Sequence, residues 1–536
     1  MMLSTKRLLL EGSSYKLIFI VALFLGVSTN SEFYSQTLAV YPLNTNNFMF
    51  LLSLVMLLVL VMLLLLSLLN FKLIIKPLLI ITLLISAMSS YFMNTYHVVI
   101  DEVMIQNIVE TNSEEVMDLL SLKQMFYFIV FGLTPSIFVY KFDVIPSSIK
   151  KELLTKTVVV VSSLLGSVLL IFLFSKHYTS FFREHKPLRF YTNPSYWIYA
   201  TGKYVGMKFS QSNHVMRAIG EDADITEETH EAKELVILVV GETARADRFS
   251  LNGYERKTNP LLEKESLINF EQMYSCGTST AVSVPCMFSV YDNEDYSYNK
   301  ANTTENILDI LTTSTQVEML WRDNNSDSKG VALRIPYENY RTPENNTICD
   351  KECRDEGMLV GLDTYIQKHQ GKDILIILHQ MGNHGPAYYK RYPKSFEKFT
   401  PVCETNQLEE CSQEEISNAY DNAILYTDYF LAKTINFLKQ YDETHETAMI
   451  YMSDHGESLG ENGIYLHGLP YFMAPVAQKH IPSVMWFGKG MKEEMNMKAL
   501  KNREKREFSQ DNLFHTLLGI FEVQTTIYDE SMDILH

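Results

Sequence analysis

LVILVV at residues 235–240, followed directly by GETARADRF at residues 241–249, is the stretch that decides the fold. A short apolar run of this length that ends at a glycine is typical of a buried strand. Two further runs share its length and character, 374-ILIILH-379 and 448-AMIYM-452, and helical stretches such as Ser417–Tyr441 lie between them. The pattern predicts an α/β domain with a mostly parallel sheet covered by helices.

A polar cluster follows each of the three runs: GETARADRF, then 380-QMGNHGPAYYKRYP-393, then 453-SDHGESLGENGIYLHG-468. Ligands of such sheets bind beyond the carboxyl ends of the strands. Glu242, Asp454 and His455 offer oxygen and imidazole ligands, a set that suits zinc or manganese. Adjacent strand residues point to opposite faces, so Asp454 and His455 can share an ion only if the strand ends before them.

A fourth feature is the loop 274-YSCGTSTAVSVPCMF-288, in which two cysteines bracket a group of small hydroxyl residues. The spacing does not tell which of these hydroxyls is reactive: Thr278, Ser279, Thr280 or Ser283. Each cluster alone is common on protein surfaces. Three strand-end clusters together with a bracketed hydroxyl loop favour a metal-dependent hydrolase or transferase.

The cysteines indicate an oxidising compartment, because all six lie after residue 175 and outside the apolar segments. Their clustering favours three local disulfides, Cys276–Cys286, Cys349–Cys353 and Cys403–Cys411. A thiolate metal site at 349-CDKEC-353 is the alternative.

The first 175 residues are predicted to be a membrane domain. Five segments are apolar over about the 20 residues that a bilayer requires. They are Tyr15–Phe33, Phe48–Leu69, Leu73–Phe92, Ser121–Tyr140 and Val158–Phe174. The first could instead be a cleaved signal peptide, which would leave the orientation of the other four unchanged.

Positive charges set the orientation of these segments. The lysines and arginines concentrate before the first segment, between the second and third, and between the fourth and fifth: Lys6, Arg7, Lys16, Lys72, Lys76, Lys141, Lys150, Lys151 and Lys156. Those loops belong in the cytoplasm, so everything after Phe174 is predicted to be exported. The net charge of −17, all of it in residues 176–536, argues against a nucleic-acid partner.

We therefore expect three regions: residues 1–175 as a five-helix membrane domain with periplasmic loops, residues 176–234 as a bridge, and residues 235–536 as the exported domain. Within the bridge, residues 181–204 interleave aromatic and basic residues, which suits a helix at the membrane interface. Residues 221–233 are acidic and nearly free of large apolar side chains, and this composition predicts an exposed hinge.

The motifs GETARADRF, SCGTSTAVSVPCMFS, HQMGNHGPAYYKRYP and SDHGESLGENGIYLHG resemble those of the lipid A phosphoethanolamine transferases, a family that includes the mobile colistin-resistance enzymes. The resemblance covers nearly the whole chain. It implies five transmembrane helices, an interfacial bridge, and a periplasmic catalytic domain of the alkaline phosphatase and sulfatase superfamily.

The resemblance also implies roles for individual residues. Thr280 would be the nucleophile, and the zinc ligands would be Glu242, Thr280, Asp454 and His455. His384 and His467 would bind a second zinc or the phosphoryl groups, and Ser326 and Lys329 would contact the head group. Asn107, Thr111 and Glu115 would bind ethanolamine, and their four-residue spacing would place them on one face of a helix.

The activity implied is transfer of phosphoethanolamine from phosphatidylethanolamine to a lipid A phosphate through a covalent threonine intermediate. The cofactor would be Zn²⁺, one ion tightly bound, with a second left open. The protein would be a monomer of the bacterial inner membrane that confers polymyxin and colistin resistance. The alternatives are another acceptor, such as a core sugar or a periplasmic glucan, a sulfatase-like hydrolase, and a membrane sensor that only binds lipid.

Overall fold

The computed structural model of the protein describes residues 11–111, 113–211, 216–225, 233–315 and 317–536. They divide into two compact units. One comprises the residues up to Ile108 together with Leu120–Val205, and the other comprises Val109–Leu119 together with Gly206–His536. The segment 109–119 therefore belongs with the second unit, although in sequence it lies between two apolar helices.

The first unit is built from helices. In the described part of the chain, four helices are long and apolar enough to cross a membrane: Phe48–Leu68, Ile75–Tyr96, Leu122–Lys141 and Ile149–Leu173. A fifth span results if Ser14–Ser28 and Ser31–Val40 are counted together, although the pair is bent by 51°. These helices lie where the apolar segments predicted them.

The bend after Ser28 has a local cause. The side chains of Thr29 and Asn30 both donate to the carbonyl oxygen of Leu25, at 2.8 and 2.9 Å, and so compete with the backbone for helix hydrogen bonds. Asn30 also donates to the carbonyl of Asn193 at 2.6 Å. The break in the first apolar segment is therefore fixed by buried side-chain hydrogen bonds.

The shorter helices of the first 211 residues are Glu102–Glu110, Ser113–Asp118, Ser175–Arg183 and Ser195–Gln211. The prediction that Asn107, Thr111 and Glu115 share one helix face is wrong. The helix that carries Asn107 ends at Glu110, and Glu115 lies in the next helix, where its side chain is outside the described part. Thr111 directly follows the first of these helices, and a β-branched threonine is a weak helix former.

The second unit contains the predicted sheet. Eight strands form it among the described residues: β1 Lys233–Gly241, β2 Leu267–Tyr274, β3 Glu318–Asp323, β4 Tyr337–Asn339, β5 Ile374–His379, β6 His445–Ser453, β7 His480–Phe487 and β8 Glu507–Ser509. Their order is β8-β2-β7-β6-β1-β5-β3-β4. Neighbours from β6 to β4 run parallel, whereas β7 runs antiparallel to both β6 and β2. The predicted α/β fold is confirmed.

The core lies on both faces of this sheet. Successive residues of β1 from Leu235 to Val240 contribute alternately to two hydrophobic clusters, and all of them are fully buried. Helices cover the two faces: Thr280–Met287, Tyr298–Asn302, Ile307–Thr315, Leu362–Lys368, Gln413–Leu438, Lys489–Glu494, Met497–Asn502 and Asn512–Ile520. Each buried aliphatic side chain contributes about 1.5–3 kcal/mol, so the central strands are held firmly.

The register brings three strand ends to one edge. Val240 of β1 pairs with His379 of β5, and Gly241 of β1 pairs with Ser453 of β6. The residues that follow these strands therefore emerge side by side. This alignment places the polar clusters seen in the sequence together.

Candidate active site

The acidic and imidazole groups predicted to bind metal converge at this edge. Glu242, Asp454 and His455 each offer one ligand atom, and these atoms all lie within 4.8 Å of one another. All three side chains are buried, with exposures of 1, 0 and 0 %. Strand β6 ends at Ser453, which meets the condition that Asp454 and His455 lie beyond the strand.

Thr280 joins this group. Its hydroxyl donates to Oε2 of Glu242 at 3.1 Å and lies 3.4 Å from Nε2 of His455. The hydroxyl of Thr278 is directed elsewhere, since it donates to the carbonyl oxygen of Leu469 at 2.6 Å. The structure thus distinguishes two hydroxyls that spacing alone left equivalent.

The helix Thr280–Met287 begins at this threonine. Its N-cap residue, Ser279, is extended, and the carbonyl of Ser279 accepts the first helical hydrogen bonds from the amides of Val282 and Ser283. Helix N-termini favour negatively charged groups because their first amides are not used within the helix. The nucleophile candidate therefore lies where phosphate oxygens are stabilised.

The tautomer of His455 shows that the site suits a cation. Its Nδ1 lies 2.8 Å from the carbonyl oxygen of Gly456, which only accepts hydrogen bonds, so Nδ1 carries the proton. The lone pair of Nε2 then faces Oδ2 of Asp454 at 3.3 Å and Oε1 of Glu242 at 3.6 Å. Three electron-rich atoms meet in a site closed to water, an arrangement that a bound cation stabilises.

The pKa values of Asp454 and His455 agree with this geometry. Burial, together with the charge of the neighbouring Glu242, raises the pKa of Asp454 well above its usual range. Burial and the neighbouring His467 lower the pKa of His455 to about 3, so its imidazole is neutral. A neutral imidazole is the form that binds metal.

Two glycines allow loops of the site to pack closely against neighbouring backbone. The backbone of Gly382 has φ +49°, and a Cβ there would lie 2.8 Å from the carbonyl oxygen of Glu242. At Gly456 a Cβ would lie 2.0 Å from the carbonyl oxygen of Ala477. A side chain at position 382 would push the loop that carries His384 away from Glu242, and a side chain at position 456 would push the loop that carries His455 away from Ala477.

The three predicted disulfides, Cys276–Cys286, Cys349–Cys353 and Cys403–Cys411, are present, and no cysteine among the described residues is free. The thiolate metal site considered for residues 349–353 is therefore excluded. The first disulfide encloses the loop that carries Thr280. It limits the conformations available to that loop.

Comparison with known proteins identifies the family to which the chain belongs. A family model described as phosphoethanolamine transferase EptA/EptB matches residues 58–209, and a sulfatase model matches residues 234–523. The chain is 45 % identical over 520 residues to phosphatidylethanolamine transferase Mcr-2 of Escherichia coli, covering 95 % of each chain. It is 38 % identical over 538 residues to phosphoethanolamine transferase EptA of Salmonella typhimurium, covering 99 % of this chain and 97 % of the relative.

The chain belongs to the phosphoethanolamine transferase family. The solved structure of lipooligosaccharide phosphoethanolamine transferase A from Neisseria meningitidis agrees over the whole length. It superposes with a TM-score of 0.93 at 35 % identity and covers 98 % of both chains. This match includes the membrane helices as well as the α/β domain.

Two further histidines of this transferase lie beside the candidate metal ligands. The ring of His467 is 4.3 Å from that of His455, and the ring of His384 is 6.2 Å from that of His467. Glu457, which the sequence reasoning missed, is fully buried, and its Oε1 lies 3.3 Å from Nδ1 of His467. In the sequence, its position two residues after His455, in the run D-H-G-E, was the signal that could have indicated a role at this site.

Asn325 is a second residue that sequence reasoning missed. Its Nδ2 donates to Oε2 of Glu242 at 2.7 Å and to the carbonyl of Gln380 at 2.8 Å. Its amide donates to the carboxylate of Asp323, which also accepts from Nδ1 of His379 at 2.9 Å. Because all of these groups are buried, the network fixes the orientation of the Glu242 carboxylate.

Gln510 is a third such residue and connects the loop that carries Thr280 to the backbone of the candidate metal ligand Asp454. Its Nε2 donates to the carbonyls of Ser453 and Asp454 at 2.9 and 2.7 Å, while its Oε1 accepts from the amide of Cys276 at 2.8 Å. It lies 42 residues beyond Gly468, the end of the nearest predicted motif in the sequence. No local pattern marks it, because its role depends on β8 pairing with β2.

The predicted head-group residues lie on the loop after β3. Ser326 follows Asn325 directly, and its amide donates to Oδ1 of Asn325 at 2.5 Å. The side chain of Lys329 is 7 % exposed, and its Nζ lies 3.5 Å from Asp327. Asn107 belongs to the first unit and Thr111 to the second, so the structure assigns them no shared position.

Proposed function

We propose that this transferase moves phosphoethanolamine from phosphatidylethanolamine to a phosphate group of lipid A through a covalent phosphoethanolamine–Thr280 intermediate. The observation that carries the proposal is the Thr280 hydroxyl, 3.1 Å from Glu242 and 3.4 Å from His455 at the start of a helix. The relatives named phosphatidylethanolamine transferase and phosphoethanolamine transferase support the group transferred and its donor.

We propose Zn²⁺ as the cofactor. Glu242, Thr280, Asp454 and His455 would hold one ion, because two carboxylates and a neutral imidazole suit zinc better than calcium or magnesium. When bound, the ion would supply positive charge that favours the deprotonated form of the threonine hydroxyl. His384 and His467 would bind a second zinc or hold the phosphoryl group during transfer.

The first step would transfer phosphoethanolamine from the donor lipid to Thr280. Oγ1 of Thr280 forms a bond to the phosphorus of phosphatidylethanolamine, the bond from phosphorus to the glycerol oxygen breaks, and the hydroxyl proton ends on the diacylglycerol that leaves. The N-terminal amides of the helix Thr280–Met287 stabilise the phosphate oxygens. Ser326 and Lys329 would hold the head-group phosphate, and Asn107, Thr111 and Glu115 the ethanolamine.

In the second step a phosphate oxygen of the acceptor attacks the same phosphorus, and the bond to Oγ1 breaks. The proton of the acceptor phosphate passes to Thr280, which returns to its original form. Capping a phosphate with ethanolamine adds an ammonium group and lowers the negative charge of the outer membrane. Cationic peptides such as polymyxin and colistin then bind less tightly.

The proposed setting is the bacterial inner membrane, with a multi-pass anchor and the catalytic domain in the periplasm. The three disulfides of the second unit support an oxidising compartment. We propose that the protein acts as a monomer. Residues 176–234 would connect the membrane and catalytic domains, and residues 226–232 of the expected hinge lie outside the described residues.

Mass spectrometry of lipid A from cells that express the chain or its Thr280→Ala variant tests this function. We expect lipid A with added phosphoethanolamine from the unaltered chain and unmodified lipid A from the variant. Unmodified lipid A from both, with modified core sugar or periplasmic glucan, would assign a different acceptor. Release of diacylglycerol and free phosphoethanolamine without any transfer product would indicate a hydrolase.

A further inference from the structure

A charged cleft opens beside His384 in the second unit. It has a volume of about 640 Å³ and is lined by residues of segments 341–353 and 381–391, together with Met117, Asp118 and Asn324. The ring of His384 is 6.2 Å from that of His467, which lies 4.3 Å from His455. His384 and His467 therefore lie between the cleft and His455.

The lining of this cleft is more basic than the rest of the domain. Four cationic side chains line it against three acidic ones: Arg341, Lys351, Lys390 and Arg391 against Asp118, Asp350 and Glu352. An excess of positive charge is unusual on a chain with a net charge of −17. Such a cleft attracts an anionic ligand.

Lys390 and Arg391 are held together by one carboxylate. Asp118 forms an ion pair with Nζ of Lys390 and lies 3.4 Å from Nη2 of Arg391. Arg391 is only 5 % exposed, and its Nε donates to the carbonyl oxygen of His384 at 2.6 Å. Nη1 of Arg391 is paired with Glu352, so Nη2 of Arg391 and the ammonium group of Lys390 are the cationic groups that face Asp118. A guanidinium and an ammonium group around one carboxylate can bind a phosphate in its place.

A buried hydrogen-bond acceptor accompanies these cations. Asn324 lines the cleft and is 1 % exposed. Its Nδ2 donates to Cys353 and Asp355, whereas its Oδ1 has no hydrogen-bond partner among the residues that the structure describes. An acceptor beside two cations matches the hydroxyl and phosphate groups of a phosphorylated sugar.

We propose that this cleft binds the phosphorylated sugar of the acceptor, with Lys390 and Arg391 on its phosphate in the place that the Asp118 carboxylate now takes. The inference rests on the proposed function and names the binding site for its second substrate. Only the carboxylate of Asp118 has to turn away from the two cations, because Asn406 holds the backbone carbonyl of Asp118 and not its side chain. The acceptor phosphate then enters past His384 and attacks the phosphorus on Thr280.

The two half-reactions test this assignment in the detergent-solubilised full chain. The first is the burst of diacylglycerol release from phosphatidylethanolamine alone, and the second is the rate of transfer as the concentration of lipid A is varied. We expect Lys390→Gln to raise the KM for lipid A about tenfold and to leave the burst unchanged, since one hydrogen bond to a charged group is lost. Lys390→Arg, which keeps the charge, should retain most of the affinity.

Asp118→Asn is the complementary variant. It removes the competing charge and should lower the KM for lipid A, a gain that loss of a merely structural ion pair would not produce. Lys439→Gln is the matched control, because Lys439 is an exposed lysine paired with Glu265 outside the cleft. This control should leave both half-reactions unchanged.

Three results would overturn the assignment. One is an unchanged KM for lipid A in Lys390→Gln. Another is a lost burst in that variant, which would assign the cleft to the donor phosphate. The third is a slowed burst with an unchanged KM in Asp118→Asn, which would make the contact an anchor for segment 109–119. Failure of the proposed function is separate, since the unaltered chain would then show a burst without any lipid A product.

Discussion

Replacement of Asn325 by alanine should weaken zinc binding without touching a metal ligand. Asn325 donates to Oε2 of Glu242 at 2.7 Å, and both side chains are 1 % exposed. A buried hydrogen bond to a charged group contributes about 1.5–3 kcal/mol. Since 1.4 kcal/mol corresponds to a factor of ten, we expect zinc affinity to fall about 10- to 100-fold.

Competition between the solubilised protein and a fluorescent zinc chelator measures this affinity. Asn422→Ala is the matched control, because Asn422 is equally buried and makes three backbone hydrogen bonds, to residues 398 and 399, away from the metal ligands. Both variants should unfold at lower temperature than the unaltered chain. Only Asn325→Ala should lose zinc affinity, and equal affinity in all three proteins would refute the proposed role of Asn325.

The remaining predictions concern the nucleophile, its loop and the opposite end of the sheet. Thr280→Ser keeps the hydroxyl and should give a slower burst of diacylglycerol, whereas a burst from Thr280→Ala would remove this residue as the nucleophile. Joint replacement of Cys276 and Cys286 by serine should cost about 2–4 kcal/mol of stability and slow the burst at saturating zinc; an unchanged burst would show that the bridge does not position the loop. Burial and the hydrogen bond with Asp373 raise the pKa of Glu234 to about 9 from 4.5. The protonated Glu234 carboxyl therefore contributes fully to the free energy of unfolding below pH 4.5. As the pH rises from 4.5 to 9, this contribution is lost at up to about 1.4 kcal/mol per pH unit. Glu234→Gln should therefore show a smaller fall in melting temperature between pH 6 and pH 8 than the unaltered chain, and an equal fall would contradict this assignment.

The sheet and the candidate metal ligands could be predicted from the sequence because they depend on local pattern. Each central strand is an apolar run that ends at a polar cluster, and parallel strands bring such clusters to one edge. Glu242, Asp454 and His455 follow from this rule, and their convergence in the structure agrees with it. The three disulfides also followed from cysteine spacing within oxidised segments.

The buried polar residues that support the candidate metal ligands could not be predicted from local sequence patterns. Asn325, Glu457 and Gln510 act through contacts across the fold, and isolated polar residues of these types usually lie on the surface. Spacing suggested one helix for Asn107, Thr111 and Glu115 because it carried no information on the helix end at Glu110. The bend after Ser28 was missed for a similar reason, since hydropathy does not register side chains that bond to the backbone.

The central claim is that the Thr280 hydroxyl, activated by a bound divalent cation, takes the phosphoethanolamine group. Intact-protein mass spectrometry with peptide mapping, after incubation with phosphatidylethanolamine, tests it most directly. We expect a phosphoethanolamine adduct on Thr280 that is lost when the protein is treated with a chelator beforehand and returns when zinc is restored. An adduct on another residue, or one that forms equally well after chelation, would contradict the account.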